Sequence, residues 1–166
     1  MKVLPVRKHP RLKGYAYNNG GAYFLTFCVK DRHEILGKID VGRGILDVPC
    51  MQLSEYGGFV VEAIGFLDKN NVGIAVDKYA VMPNHMHLII FVDNTEDGAS
   101  GKPRPANAVI PKFVSSVKHF TNKRAGFDMW QHSFHDRIIR DETEYQRIWT
   151  YIDENPAKWQ EDCYYM

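Results

Sequence analysis

No stretch of this sequence approaches the roughly 18 consecutive apolar residues that would cross a bilayer, so no membrane span is expected. The basic opening MKVLPVRKHPRLKGY is followed by no apolar core of the kind a secretory leader carries, so no such leader is expected. Cysteine is scarce: Cys28, Cys50 and Cys163 are odd in number and show no CxxC spacing. That excludes a disulfide framework and a cysteine zinc site and fits a reducing, cytoplasmic setting. Charge of one sign is also missing. The net charge is +1, which argues against a binder held to nucleic acid by bulk electrostatics alone. There is no internal repeat, and no K/R-G-F/Y-G-F-V run of the RNA-recognition type.

With 45% apolar and 25% charged residues over 166 positions, the composition is that of one ordinary folded domain. A basic arm covers residues 1–20. GAYFLTFCVK (21–30) is aromatic and β-branched and predicts a strand. The glycine-punctuated 31–50 segment predicts a loop or irregular hairpin. Leu53, Tyr56, Val60, Ile64 and Leu67 recur at helical spacing, with Ser54 as N-cap and an end near Lys69-Asn70-Asn71. VGIAVDKYAVM and HMHLIIFV predict two strands joined by Met82-Pro83-Asn84. Residues 93–108 predict a flexible polar loop. A helix follows over 109–124 with Pro111 in its first turn, then a short strand in FHDRIIR and a third helix from Asp141 that Pro156 stops at Asn155. The β-α-β-β-α-β order with an added helix predicts an α+β protein. Its expected form is a ferredoxin-like sandwich, a mainly antiparallel sheet with helices on one face plus a C-terminal helix.

Within YAVMPNHMHLIIFV, His85 and His87 share one face of a strand, so both rings can aim at one point. The pair is a candidate metal site with open positions, or two ordinary strand histidines. Tyr151 and Asn155 stand four apart on the last helix, hence on one face. If that face meets the histidine strand, Asn155 offers an oxygen ligand and Tyr151 a nucleophile; otherwise they are a half-buried tyrosine and a helix-ending residue.

Four stretches in order, RLKGYAYNNGGAYFLTF, YAVMPNHMHLI, WQHSFHDRIIRDE and YIDENPAKW, span most of the chain. In these the chain resembles the REP-associated tyrosine transposases, a branch of the single-tyrosine HUH transposases that act on single-stranded DNA. The resemblance matches the histidine-hydrophobic-histidine motif to His85-Met86-His87, the nucleophile to Tyr151 and the metal-binding amide to Asn155. It implies a nicking and rejoining enzyme that forms a 5′-phosphotyrosine link beside DNA hairpins, with one Mg²⁺ or Mn²⁺ held by His85, His87 and Asn155. Insertion-sequence relatives are dimers that exchange the tyrosine helix, whereas the REP-associated branch acts as a monomer, so monomer and homodimer both stay open.

Arg7, Lys8, Arg11 and Lys13 in the arm, and Lys112, Lys118, Lys123 and Arg124 on the second helix, are candidate contacts to the DNA backbone; Tyr15 and Tyr17 are candidate base-stacking residues. A solvated basic face is the simpler account of the same residues. Two other functions fit the residues: a single-stranded nucleic-acid-binding module without chemistry, and a metal-dependent nuclease that uses water while Tyr151 orients the substrate.

Overall fold

The computed structural model describes residues 21–40, 48–70, 73–92 and 106–165. Its main sheet has four strands: β1 (Gly21–Cys28), β4 (Ile74–Val81), β5 (His85–Val92) and β6 (His135–Ile139), in the spatial order β4-β5-β1-β6. Every neighbouring pair is antiparallel. The irregular hairpin expected over 31–50 is a small second sheet, with β2 (Gly37–Asp40) paired to β3 (Cys50–Leu53).

Two helices cover one face of the main sheet. In α1 (Glu55–Asn70), the Ser54 hydroxyl accepts from the Gly57 amide and caps the first turn. The helix lies so close to the end of the 33–36 segment that a Cβ on Gly57 would stand 2.1 Å from the Leu36 carbonyl oxygen. Helix α2 runs Ala106–Ala125 and begins earlier than expected, which corrects the 93–108 loop at its far end. Pro111 is therefore inside the helix, beyond the first turn, where its ring removes one i→i−4 hydrogen bond. Phe113, Val114 and Val117 of α2 pack with Val60, Ala63 and Ile64 of α1 onto Met86, Leu88, Ile90 and Val92 of β5.

The opposite face of the sheet receives α3 (Glu142–Glu154). Asp141 caps it by accepting from the Glu144 amide, with 2.8 Å between the heavy atoms. Ile148 and Ile152 bury against Ile89 and Ile139, each contributing roughly 1.5–3 kcal/mol of burial. Being covered on both faces, β5 reads as an almost unbroken apolar run.

A β-bulge in β4 sets where α3 sits. The register passes from Val76↔Ile90 to Lys78↔Ile89, leaving Asp77 as the extra residue. The bulge turns Lys78 and Ala80 toward α3, whereas Ile74 and Val76 before it face α1 and α2. Lys78 then pairs with Asp153 and lies 3.8 Å from the Trp149 ring centroid, and Tyr145 donates to Asp77 at 2.7 Å. These contacts fix the rotation of α3, and therefore which of its side chains look down at the sheet.

Candidate active site

The strand alternation that sends Met86 and Leu88 into the α1/α2 core sends His85 and His87 to the α3 face. Both rings are buried, at 0% and 1% exposure, and their Nε2 atoms stand 3.0 Å apart. His85 Nδ1 donates to the Asn84 side-chain oxygen at 2.9 Å, and the Asn84 amide nitrogen donates to the Tyr164 carbonyl at 3.0 Å, which fixes which way that amide faces. His87 Nδ1 meets the Thr26 hydroxyl at 2.7 Å, placed there by the Thr26↔His87 pairing of β1 with β5. The Asn84 oxygen keeps the His85 proton on Nδ1 and its Nε2 lone pair free; the Thr26 hydroxyl can accept from His87 Nδ1 and free the second Nε2 for the same spot.

Burial, helped by the positive charge of Arg32, lowers His85 to a pKa of about 3. Burial and the neighbouring His85 hold His87 well below its usual value. Both imidazoles are neutral near pH 7, which is the form that binds a cation. With no ion between them, the two Nε2 atoms at 3.0 Å can share one N–H as a hydrogen bond; with both protons on Nδ1, both lone pairs are free for a cation. In that form both nitrogens can serve as ligands to one metal ion.

Tyr151 and Asn155 do come down onto this pair. The Tyr151 hydroxyl is 3.2 Å from His87 Nε2, and Phe24 stacks on the His87 ring and makes a T-shaped contact with Tyr151. Asn155 caps the end of α3 and is buried; its amide nitrogen donates to Asp162 at 2.9 Å. Among the described residues its side-chain oxygen is buried without a partner, an orphan acceptor of the kind a cation would satisfy.

Sequence reasoning missed two residues. After Pro156 the chain makes a short 3-10 turn (Trp159–Glu161) and folds back over the histidines. Asp162 is thereby buried in the site, where its Oδ2 accepts from the Tyr151 hydroxyl at 3.1 Å. With His85 and His87 it forms a group of three donors all within 4.8 Å of one another, which can hold a metal. It adds the negative charge that a buried divalent ion needs and that His, His and Asn cannot supply. Tyr164 lies with its ring centroid 4.4 Å from that of His85, and the Arg32 guanidinium sits 5.0 Å from the Tyr164 centroid. Arg32 is aimed there by a turn in which Asp31 and Arg32 both have positive φ, 54° and 57°. A second tyrosine thus shares the site although it follows the proline. Burial raises both phenols, with Asp162 adding to the effect at Tyr151 and the Cys28 thiol at Tyr164.

The basic candidates are elsewhere. Arg7, Lys8, Arg11, Lys13, Tyr15 and Tyr17 lie outside the described residues. Lys112 and Lys123 are exposed on α2, which packs on the face of the sheet opposite to Tyr151. Lys118 is half-buried and donates to the carbonyls of Gln131, His132 and Ser133, so its ammonium anchors that loop. Arg124 pairs with Glu62 and lies over the Phe59 ring. Cys28, Cys50 and Cys163 are all free thiols, and among the described residues no helix is long and apolar enough to cross a membrane.

No protein-family model matches the chain. An uncharacterised protein of Haemophilus influenzae is 29% identical over 175 aligned positions, which cover 96% of this chain and 93% of that one. Among solved structures, a REP-associated tyrosine transposase bound to a REP hairpin superposes with a TM-score of 0.59 at 19% identity, over 95% of this chain and 74% of the other. The antiparallel four-stranded sheet, with its helices and its His-x-His strand, is therefore similar in fold to a REP-associated tyrosine transposase.

Proposed function

We propose that this chain is a single domain of ferredoxin-like architecture that nicks and rejoins single-stranded DNA beside hairpins through a 5′-phosphotyrosine link on Tyr151. The observation that carries the reading is the 3.2 Å approach of the Tyr151 hydroxyl to His87, next to a second neutral imidazole. His85, His87, Asn155 and Asp162 would hold one Mg²⁺ or Mn²⁺. Such an ion polarises a phosphate and stabilises the charge that builds on it during displacement.

The chain's own groups do the rest. Asp162 accepts the Tyr151 hydrogen bond and is placed to take the proton as the phenol oxygen attacks phosphorus. The bond from phosphorus to the 3′ oxygen breaks, and that oxygen leaves as a 3′-hydroxyl after taking a proton from water. The phosphotyrosine retains the phosphodiester's energy, so a 3′-hydroxyl can attack it and rejoin the strand without ATP. Phe24 packs against both the His87 and the Tyr151 rings and holds them in place. The similarity to a transposase that binds a REP hairpin supports hairpin-bearing DNA as the partner. The exposed Lys112 and Lys123 would meet that DNA on the far face of the sheet, with the residues 1–20 arm as a second contact.

One observation favours a nuclease that uses water: the burial that raises the Tyr151 pKa keeps the phenol protonated. Incubation with labelled hairpin-bearing single-stranded DNA and Mn²⁺ separates the readings. An adduct that survives denaturation supports transfer through tyrosine, cleavage without an adduct supports water, and binding without cleavage removes both.

A further inference from the structure

A cavity of about 550 Å³ is lined by α3 and the turn that follows it, with the hydrogen-bonded pair Tyr151 and Asp162 among its wall residues. Its size falls within the roughly 300–1,000 Å³ typical of sites that enclose small molecules. The reacting phosphate has to reach Tyr151, and Tyr151 is 40% exposed while both histidines are sealed. This cavity is therefore an open approach to Tyr151 for a strand.

The charges around it are mostly wrong for DNA. Glu154, Glu161 and Asp162 line the cavity with Lys158 and Arg147. Lys158 does not redress the balance, because its ammonium is paired with Glu154 at 2.5 Å, i,i+4 on the surface, so the two together add no net charge. Arg147 differs. Its side chain is 69% exposed and its ion pair is a long one, 3.8 Å to Glu144. Glu144 is already engaged by Arg137 and by the Arg140 amide. Arg147 also precedes Tyr151 by four residues, which puts it on the same face one turn up, roughly 6 Å away. That distance is on the scale of one nucleotide step along a strand.

Resting on the nicking function above, we propose that this cavity is the track for the single strand at the nick, and that Arg147 grips the phosphodiester next to the one Tyr151 attacks. Arginine suits the role, because its planar fork binds phosphate oxygens two at a time. Lys158 takes no part, since its charge is spent on Glu154.

Binding of a labelled hairpin oligonucleotide with a single-stranded flank, followed by anisotropy in chelator across a salt series, tests this with the full chain. Arg147→Ala should weaken binding by about tenfold and lower the slope of log affinity against log salt by about 1, the loss of one phosphate contact. Arg147→Lys should restore most of the slope, and Lys158→Ala should leave it as in the wild type. An unchanged slope in Arg147→Ala, or an equal drop in Lys158→Ala, would overturn the proposal. Circular dichroism of the variants guards against unfolding, which exposed substitutions are not expected to cause. If the wild type shows the Arg147-dependent slope but forms no adduct in Mn²⁺, the chemistry fails and the track stands. If the adduct forms and the slope is indifferent to Arg147, the track fails and the chemistry stands. Where nicking is seen, Arg147→Ala should raise KM while kcat holds.

Discussion

His85 and His87 turn their Nε2 atoms toward each other across 3.0 Å, each ring held from behind by its own partner, Asn84 and Thr26. Without a cation one Nε2–H can bridge to the other ring, and with both protons on Nδ1 the two rings are a preformed ligand pair. A ligand that binds the folded state alone stabilises it by about 2.7 kcal/mol at a hundred times its Kd. For a domain of this size that is roughly 5–10 °C in Tm. Mn²⁺ should therefore raise the melting temperature of the wild type by that order, and His85→Ala and His87→Ala should show little or no rise. An equal rise in all three would place the ion elsewhere.

Acid should act on the same pair from the other side. In chelator, the unfolded chain's histidines take up protons near pH 6.5, but folded His85 does so only near 3 and folded His87 well below its usual value. Between those limits the unfolded state binds more protons, so stability falls as pH drops from about 6.5 toward 3, by at most about 1.4 kcal/mol per pH unit for each histidine. Denaturant titrations at several pH values should show this slope, and His85→Gln should flatten it. A flat wild-type profile across that window contradicts the buried, neutral assignment.

Asp162 supplies the site's negative charge. Asp162→Asn keeps the size and one oxygen acceptor but removes that charge. Mn²⁺ affinity measured by calorimetry should fall about 10–100-fold while the far-ultraviolet spectrum stays unchanged. Unaltered affinity would confine the ion to the histidines and Asn155.

Adjacent glycines in α1 offer a test of the packing. Gly57→Ala drives a methyl group into the Leu36 carbonyl and should cost about 3 kcal/mol or more, because backbone cannot step aside cheaply. Gly58→Ala meets nothing within 4 Å and should stabilise by about 1 kcal/mol through helix propensity. Thermal melts of the two variants should move in opposite directions.

Much of this site can be read before any coordinates. Period-two alternation puts His85 and His87 on one face and Met86 on the other, and i,i+4 spacing puts Tyr151 with Asn155. Those patterns are local, and the structure brings the two pairs together. What could not be read depends on contacts without a period. The Asp77 bulge leaves no mark in IAVDKYAV, yet it decides that Lys78 faces α3. Asp162 and Tyr164 follow a proline in a short irregular turn, where neither helical nor strand spacing assigns a direction. Lys118 looks like any solvated lysine until the 131–133 carbonyls close around it.

Two tyrosines flank the histidines: Tyr151 with its hydroxyl 3.2 Å from His87, and Tyr164 with its ring against His85. The most direct test of the account is therefore to map the covalent adduct. The wild type is incubated with hairpin-bearing single-stranded DNA and Mn²⁺, digested with protease and nuclease, and the nucleotide-bearing peptide is sequenced by mass spectrometry. The account predicts a 5′-phosphate on Tyr151, an adduct lost in Tyr151→Phe and kept in Tyr164→Phe. A nucleotide on Tyr164, or cleavage that persists in Tyr151→Phe, would contradict it.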